Sequence, residues 1–125
     1  MRDQKNNTEN SELDGNRIIQ KMPIVPTKEN SCYLVIKQIY FDEIMAGTKK
    51  IEYRDLNPTN RKKLLLNDRW PYKPKDIKFL NLAVGYAKER DCGIVEVTGF
   101  TFRKNYPYDI IEVHIGNVIE CKRAK

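Results

Sequence analysis

From residue 31 onward, short apolar blocks alternate between the spacing of strands and the spacing of helices. Residues 32–37 are rich in β-formers and almost continuously apolar, which is typical of a buried strand. Phe41, Ile44 and Met45 then fall at positions i, i+3 and i+4, so they form one apolar stripe on a short helix. Gly47 follows this stripe, where a left-handed residue commonly ends a helix. The pattern predicts a strand followed by a short helix.

The rest of the chain contains a second helix and several more strands. Residues 50–54 alternate between apolar and charged, as in a strand with two different faces. Asn57 and Pro58 are a strong helix start, with Asn as N-cap and Pro at the first helical position, and we expect this helix to end near residue 66. Three apolar stretches are expected to be strands, at residues 77–83, 93–102 and 111–121, with a break near residue 116. This order predicts an α+β fold, a small mixed barrel or sheet with two helices packed at one side.

Residues 1–28 differ from the rest of the chain because they are polar and rich in Asn, Glu, Asp and Lys. Such a segment buries too little apolar surface to fold by itself. We therefore expect a disordered or loosely docked N-terminal extension over residues 1–28 and one domain over residues 29–125. The extension is also a candidate contact for a protein partner.

Composition excludes several classes of protein. The 125 residues, 40% of them hydrophobic, suit one domain with a modest core. No stretch approaches the ~18 apolar residues of a membrane span, and the polar N-terminus does not resemble a signal peptide, so we expect a soluble cytoplasmic protein without a membrane partner. Three widely spaced cysteines and a single histidine, His114, argue against a disulfide framework and against a metal site. No cofactor is expected.

The positive charge is concentrated in one segment. The formal net charge is +6, and residues 49–78 alone carry ten basic and four acidic residues, an excess equal to the total. A mixed run of charges is commonly just a solvated surface. The alternative is a face that attracts phosphate or nucleic acid, and the aromatic residues Tyr53, Trp70 and Tyr72 within the segment favour it because bases stack on such rings.

The densest group of reactive side chains lies at the start of this segment. Gly47 allows a sharp turn after the first helix, which would bring Lys49 towards the strand that carries Glu52 and Arg54. Those two residues lie on the same face of that strand, opposite Ile51 and Tyr53, with Cα atoms expected ~6.6 Å apart. A lysine, a carboxylate and an arginine in one cleft would bind an anion or a polar base edge and could transfer a proton. The alternatives are a surface ion pair for Glu52 and Arg54, and a helix C-terminal cation for Lys49.

Residues 40–54 resemble the signature of the ASCH domain family, written GxKxxExR, with Gly47, Lys49, Glu52 and Arg54 in register. The resemblance extends from about residue 31 to residue 120. That family is similar to the PUA superfamily of RNA-binding β-barrels, so the resemblance implies a small PUA-like mixed β-barrel. It also implies a cleft between barrel and helices, lined by Lys49, Glu52 and Arg54, that accepts RNA or a modified nucleoside.

Members of the ASCH family differ in activity, and the resemblance leaves two functions open. Some members are amidohydrolases that deacetylate acetylated cytidine, with a Thr at the position of Glu52, and others are ribonucleases. The resemblance therefore implies either an RNA- or nucleotide-binding module, or a metal-independent hydrolase acting on a modified nucleoside or RNA. In the hydrolase, Lys49 would stabilise the oxyanion and Glu52 or Glu96 would be the general base.

Further residues are candidates for the same site. Glu96 is either the strand carboxylate that completes the cleft or an exposed strand residue. Lys37 is an edge lysine or a cleft residue, and Tyr86 stacks on a base or packs at the rim. Arg61 and Lys62, on the second helix, would supply a basic rim. A third function also stays open, an adaptor whose N-terminal extension and basic face contact an acidic protein.

Overall fold

The computed structural model describes residues 23–124, which form two helices and five strands. Their order confirms the predicted α+β class. Predictions for residues 1–22 lie outside the described residues, and residues 23–27 have no regular secondary structure. In chain order the elements are β1 (Ser31–Ile36), α1 (Gln38–Met45), β2 (Ile51–Asp55), α2 (Pro58–Leu64), β3 (Phe79–Val84), β4 (Cys92–Arg103) and β5 (Ile110–Lys122).

Both helices begin or end for local reasons that the sequence contains. After α1, Gly47 has a φ of 81°, the left-handed conformation that glycine adopts without steric cost. Asn57 caps α2 because its side-chain oxygen accepts a hydrogen bond from the N–H of Asn60 at 2.8 Å. Neither helix of the described residues is long and apolar enough to cross a membrane.

α2 ends at Leu64, about two residues earlier than predicted. Leu65 is extended, with φ −116° and ψ 150°, and forms an isolated β-bridge with Pro74. The N–H of Leu66 then donates to the carbonyl of Lys73 at 2.7 Å. The loop after α2 thus folds back on itself, and its backbone bonds replace the last turn of the helix.

The five strands form one mixed sheet in the order β1-β3-β4-β5-β2. β1 pairs with β3 in parallel, and the other neighbouring strands are antiparallel. β5 runs without interruption from Ile110 to Lys122, so the predicted break near residue 116 is wrong. The irregularity appears instead as register shifts between β4 and β5 that begin at Ile94 and end at Gly99.

One hydrophobic core lies on a single face of this sheet, and the helices pack against it. The sheet contributes alternate residues of its strands, and burying each large side chain stabilises the fold by ~1.5–3 kcal/mol. Gly93 of β4 leaves room for α1, since a Cβ atom there would lie 2.8 Å from Met45 Cε. Core side chains include Leu34, Ile36, Phe41, Ile44, Leu64, Leu80, Leu82, Val95, Ile111 and Val113.

β1 and β2 are the two edges of the sheet, and the side chain of Arg54 bridges them. Arg54 of β2 donates from Nη2 to the carbonyl of Val35 in β1 at 2.8 Å. Two residues earlier on β1, the carbonyl of Tyr33 accepts a hydrogen bond from Lys63 Nζ of α2 at 3.0 Å. We call this line of contacts, formed by Tyr33, Val35, Arg54 and Lys63, the β1–β2 seam. The sheet therefore curves so far that an arginine side chain of one edge strand reaches the backbone of the other. Within residues 23–124, no backbone pairing between β1 and β2 closes the sheet into the predicted barrel.

Arg123 holds the end of the described chain against α1 and the turn before β4. Its Nη1 contacts Asp42 Oδ1 at 2.6 Å and Asp91 Oδ2 at 2.9 Å. Asp91 also accepts the N–H of Ala124 at 2.8 Å. That N–H, followed by Gln38 and Arg123, lowers the pKa of Asp91 to about 2.

Candidate functional site

Glu52 is the one charged residue that is buried among residues 23–124, with 5% of its surface exposed. The alternation of β2 explains this position, because Glu52 pairs with the buried Val113 of β5 whereas Tyr53 faces the opposite side. A buried carboxylate is costly unless it is paired and hydrogen-bonded. The surroundings of Glu52 are therefore informative about function.

Two cations share the carboxylate of Glu52. Arg54 Nε donates to Oε2 at 2.9 Å, and Lys49 Nζ lies 3.7 Å from Oε1. The side chains of Lys49, Glu52 and Arg54 are 15%, 7% and 21% exposed. These three residues, which we call the Lys49–Glu52–Arg54 cluster, carry a net charge of about +1 in a partly desolvated place, where charge-assisted bonds are strong.

The turn between α1 and β2 fixes the position of Lys49. The N–H groups of Thr48 and Lys49 both donate to the carbonyl of Glu43, at 3.0 and 3.1 Å, so the chain folds back directly after Gly47. The carbonyl of Lys50 then accepts the N–H of Ile115 at 2.8 Å, next to the start of the β2–β5 ladder. Because the backbone is held on both sides of Lys49, this lysine projects from a rigid support.

The ammonium of Lys49 also lies against two tyrosine rings. Its Nζ is 5.1 Å from the ring centroid of Tyr40 and 5.1 Å from that of Tyr53, within the range of cation–π attraction. Both rings are partly exposed, at 42% and 47%. A hollow of about 450 Å³ opens here, and we call it the Lys49 hollow; Lys49, Thr48 and Tyr53 are among its lining residues. Glu52 lies beneath Lys49 and does not line this hollow.

Arg103 extends the cationic and aromatic surface beyond Tyr53. Its guanidinium carbon is 5.8 Å from the Tyr53 ring, and its Nε pairs with Glu112 Oε2 at 3.0 Å. The hydroxyl of Thr101 donates to Glu112 Oε1 at 2.6 Å. Since that hydroxyl has one hydrogen, it accepts from His114 Nε2, 2.8 Å away. His114 thus supports this network of the outer sheet face.

The two α2 residues predicted for the basic rim have different positions. Arg61 is used internally, since its Nε donates to the carbonyl of Leu56 at 2.6 Å and its Nη1 to that of Asp68 at 3.3 Å. Lys62 is exposed and lines two grooves, one on either side of α2, with volumes of about 700 and 860 Å³. Lys75 lines both grooves as well.

The other three predicted residues do not join the Lys49–Glu52–Arg54 cluster. Glu96 lies on the face of β4 opposite the buried Val95, and its Oε1 accepts the N–H of Asn117 at 3.0 Å, which stabilises the irregular β4–β5 pairing. Tyr86 is 85% exposed in the turn before β4. Lys37 is exposed at the N-terminus of α1.

Three residues near the candidate site were not identified from the sequence as site residues. Tyr40 and Arg103 surround Lys49 and Tyr53, and Lys63 lies at the β1–β2 seam. Tyr40 stands beside Phe41, off the apolar stripe of α1, and an exposed aromatic residue on the polar side of a helix is a usable signal. No spacing rule relates Arg103 to Tyr53, because they meet only through the β2–β5–β4 pairing. Lys63 contacts β1 across 30 positions of the chain.

Comparison with known proteins adds no further assignment. No protein-family model, no curated protein and no solved structure matches the chain. Within the part of the chain that the structure describes, no group of three or more His, Cys, Asp or Glu residues is placed to hold a metal ion.

Proposed function

We propose that this chain is an RNA- or nucleotide-binding domain of the ASCH type, and that its contact site is the Lys49–Glu52–Arg54 cluster with the adjoining Lys49 hollow. The basic residues along α2, Lys62 among them, form the rim. The proposal combines the register of the motif with the geometry around Lys49, and it names RNA or a nucleotide as the partner.

The position of Lys49 is the observation that carries the proposal. Its ammonium is held between a buried carboxylate and two partly exposed tyrosine rings, at the wall of a hollow. A phosphate or a base carbonyl entering the hollow would accept a hydrogen bond from Lys49, and exposed ring surface beside it would stack on a base. Little conformational freedom of Lys49 would be lost on binding, because its neighbours already fix its position.

We further propose that the fold is a PUA-like barrel that is open at the β1–β2 seam. Five strands share one core on one face, as in a small barrel. Arg54 and Lys63 satisfy two carbonyls of β1 where a closed barrel would have backbone bonds from β2. An open seam leaves cationic side chains at the edges of the sheet, which suits an anionic partner.

RNA affinity measured against salt concentration tests the proposal. Fluorescence anisotropy with a labelled single-stranded RNA should give a linear decrease of log affinity with log salt. Lys49→Gln should weaken binding at least about tenfold, since a hydrogen bond to a charged group contributes ~1.5–3 kcal/mol. Lys88→Gln is the matched control, because Lys88 is exposed in the turn before β4, at the opposite end of that strand from Arg103.

Two results would contradict the proposal. One is an affinity that is absent or independent of salt for both RNA and single nucleotides. The other is an equal loss of affinity in Lys49→Gln and Lys88→Gln, which would mean that only the overall charge matters. Circular dichroism of both variants checks that each is folded.

The hydrolase alternative receives less support from the geometry. A general base has to reach the substrate or its water, but Glu52 is 5% exposed and both of its oxygens face cations. Glu96, the other candidate base, is bound to the backbone of β5. Product formed by the wild-type chain from acylated nucleosides or single-stranded RNA, and lost in Glu52→Gln, would favour the hydrolase over the binding module.

A further inference from the structure

The larger of the two grooves beside α2 has the features of a ligand site that the Lys49–Glu52–Arg54 cluster does not use. It lies between α2 and β1 and has a volume of about 860 Å³, within the usual range of ~300–1,000 Å³ for small-molecule sites. Four lysines line it: Lys28, Lys62, Lys63 and Lys75. We call it the α2–β1 groove.

Backbone carbonyls hold two of the four lysines in place. Lys63 Nζ donates to the carbonyl of Tyr33 at 3.0 Å, and Lys75 Nζ donates to the carbonyl of Lys62 at 2.7 Å. An ammonium group has three hydrogens, so each of these lysines keeps donors for a ligand. Fixing flexible lysines before the ligand arrives reduces the entropy cost of binding. Positive charge is therefore organised at this groove in advance.

The carboxylates in the groove do not cancel this charge. Glu29 and Asp76 line it, so the four lysines leave an excess of two positive charges. Asp76 is also paired outside the groove, with Lys78 Nζ at 3.1 Å. An anionic ligand is therefore the chemistry that the groove fits.

The floor of the groove is apolar and suits a flat ring. Cys32 and Ile77 line it and are each 7% exposed, and Tyr33 lines it at the edge of β1. Burial raises the pKa of the Cys32 thiol, and the positive charges of Lys63, Lys75 and Arg54 oppose this rise. A ligand with an aromatic ring at one end and negative charge at the other matches the floor and the lysines together.

We propose that the α2–β1 groove binds a nucleoside phosphate, with the base against Cys32 and Ile77 and the phosphate on Lys62, Lys63 and Lys75. The ligand is either a free nucleotide or one nucleotide of a bound RNA. The inference rests on the proposed function for the nucleoside part, whereas the lysines argue for the phosphate independently.

The β1–β2 seam places this groove beside the cluster. Arg54 contacts the carbonyl of Val35, and Lys63, which lines the groove, contacts the carbonyl of Tyr33 two residues away. Two residues of a strand span ~6.6 Å. An RNA strand that crosses the seam could therefore place neighbouring nucleotides at the cluster and in the groove.

Titration of the full-length chain with adenosine 5′-monophosphate and with adenosine tests the groove. Calorimetry should show the monophosphate binding at least about tenfold more tightly than adenosine, because only the former reaches the lysines. Backbone NMR shifts should change at Tyr33, Thr59 and Ile77. Lys62→Gln should weaken the monophosphate about fivefold, as expected for one partly exposed ion pair. Lys73→Gln, an exposed lysine of the same loop as Lys75, is the control and should have no effect.

The outcomes separate this inference from the proposed function. Equal affinity for monophosphate and adenosine, or shifts confined to the Lys49 hollow, would overturn the groove and leave the cluster standing. Hexaglutamate binding as tightly as the monophosphate would overturn it too, since the groove would then be a general acidic docking surface. Absence of RNA binding in every test, with the monophosphate bound in the groove and unaffected by Lys49→Gln, would support the groove and contradict the Lys49–Glu52–Arg54 cluster as the contact site. The affinity of Lys62→Gln for a 5′-phosphorylated RNA distinguishes the two sources of the ligand. Weaker binding than in the wild type means that the groove holds a nucleotide of RNA, and equal binding means that it holds a free nucleotide.

Discussion

Replacing Arg54 by methionine tests how the buried carboxylate of Glu52 is stabilised. Arg54 makes two contacts that methionine cannot make, to Glu52 Oε2 at 2.9 Å and to the carbonyl of Val35 at 2.8 Å. Methionine keeps much of the aliphatic length of the arginine, so the loss is mainly electrostatic. Lys49, 3.7 Å from the other carboxylate oxygen, remains as the nearest cation.

The expected cost of Arg54→Met is about 3 kcal/mol in the free energy of unfolding. Removing one partner of a buried ion pair costs ~3–5 kcal/mol, because the remaining charge stays out of water. The lower end applies here, since the Arg54 side chain is 21% exposed and Lys49 still faces Glu52. The exposed pair Lys78–Asp76, 3.1 Å apart with side chains 48% and 86% exposed, is the matched control, and Lys78→Met should cost ~1 kcal/mol or less.

Urea denaturation followed by circular dichroism measures both costs, and a double variant identifies the cause. If the orphaned carboxylate is responsible, Arg54→Met combined with Glu52→Gln should be at least about 1 kcal/mol more stable than the sum of the two single effects predicts. The reasoning would be refuted if Arg54→Met cost no more than Lys78→Met. It would equally be refuted if the two substitutions added without coupling.

Two further predictions concern other parts of the fold. Gly93→Ala should destabilise the fold by ~2–3 kcal/mol in urea denaturation, because the added Cβ would lie 2.7 Å from the carbonyl oxygen of Glu120. Gly99→Ala is the control: a Cβ there would have no atom within 4 Å, so the stability should change by ~0.5 kcal/mol or less. The N–H of Ala124 is the largest of the contacts that lower the pKa of Asp91 from an ordinary 3.8 to about 2. The stability that the ionised Asp91 contributes is therefore complete above about pH 4 and is lost as the pH falls towards 2. The stability difference between wild type and Asp91→Asn should therefore shrink over that interval, and a difference that stayed constant down to pH 2 would contradict this account.

The order of helices and strands could be predicted because it depends on short-range patterns. The stripe of Phe41 and Ile44, the Asn57 cap and the alternation of β2 each act within a few residues. The end of α2 and the continuity of β5 were predicted less well, because they depend on distant partners. Leu66 bonds to Lys73, and Asn117 bonds to Glu96. Such contacts override the local conformational preferences of the residues at the end of α2 and near Gly116 in β5.

The candidate site could be predicted only in part, for a related reason. Alternation places Glu52 and Arg54 on one face of β2, but it does not say whether that face is the core or the solvent. The surface ion pair that was one alternative is ruled out by the pairing of Glu52 with Val113, which buries it. Glu96 has the parity of an exposed strand residue, and its role in the irregular β4–β5 pairing depends on the backbone of Asn117.

Arg54 belongs both to the fold and to the candidate site, and this determines which variants can test function. It bridges the edges of the sheet and pairs the buried carboxylate, so weaker RNA binding in Arg54→Met has two explanations. Domains are commonly stable by ~5–15 kcal/mol. Even at the lower limit, a loss of about 3 kcal/mol leaves ~2 kcal/mol, which corresponds to a folded fraction of ~97% at 25 °C. Unfolding alone would then reduce the apparent affinity by only a few per cent. A tenfold loss of affinity in Arg54→Met would therefore exceed what global unfolding explains. If Arg54 acts at the site, the salt dependence of RNA binding by Arg54→Met should match that of Lys49→Gln rather than that of Lys88→Gln.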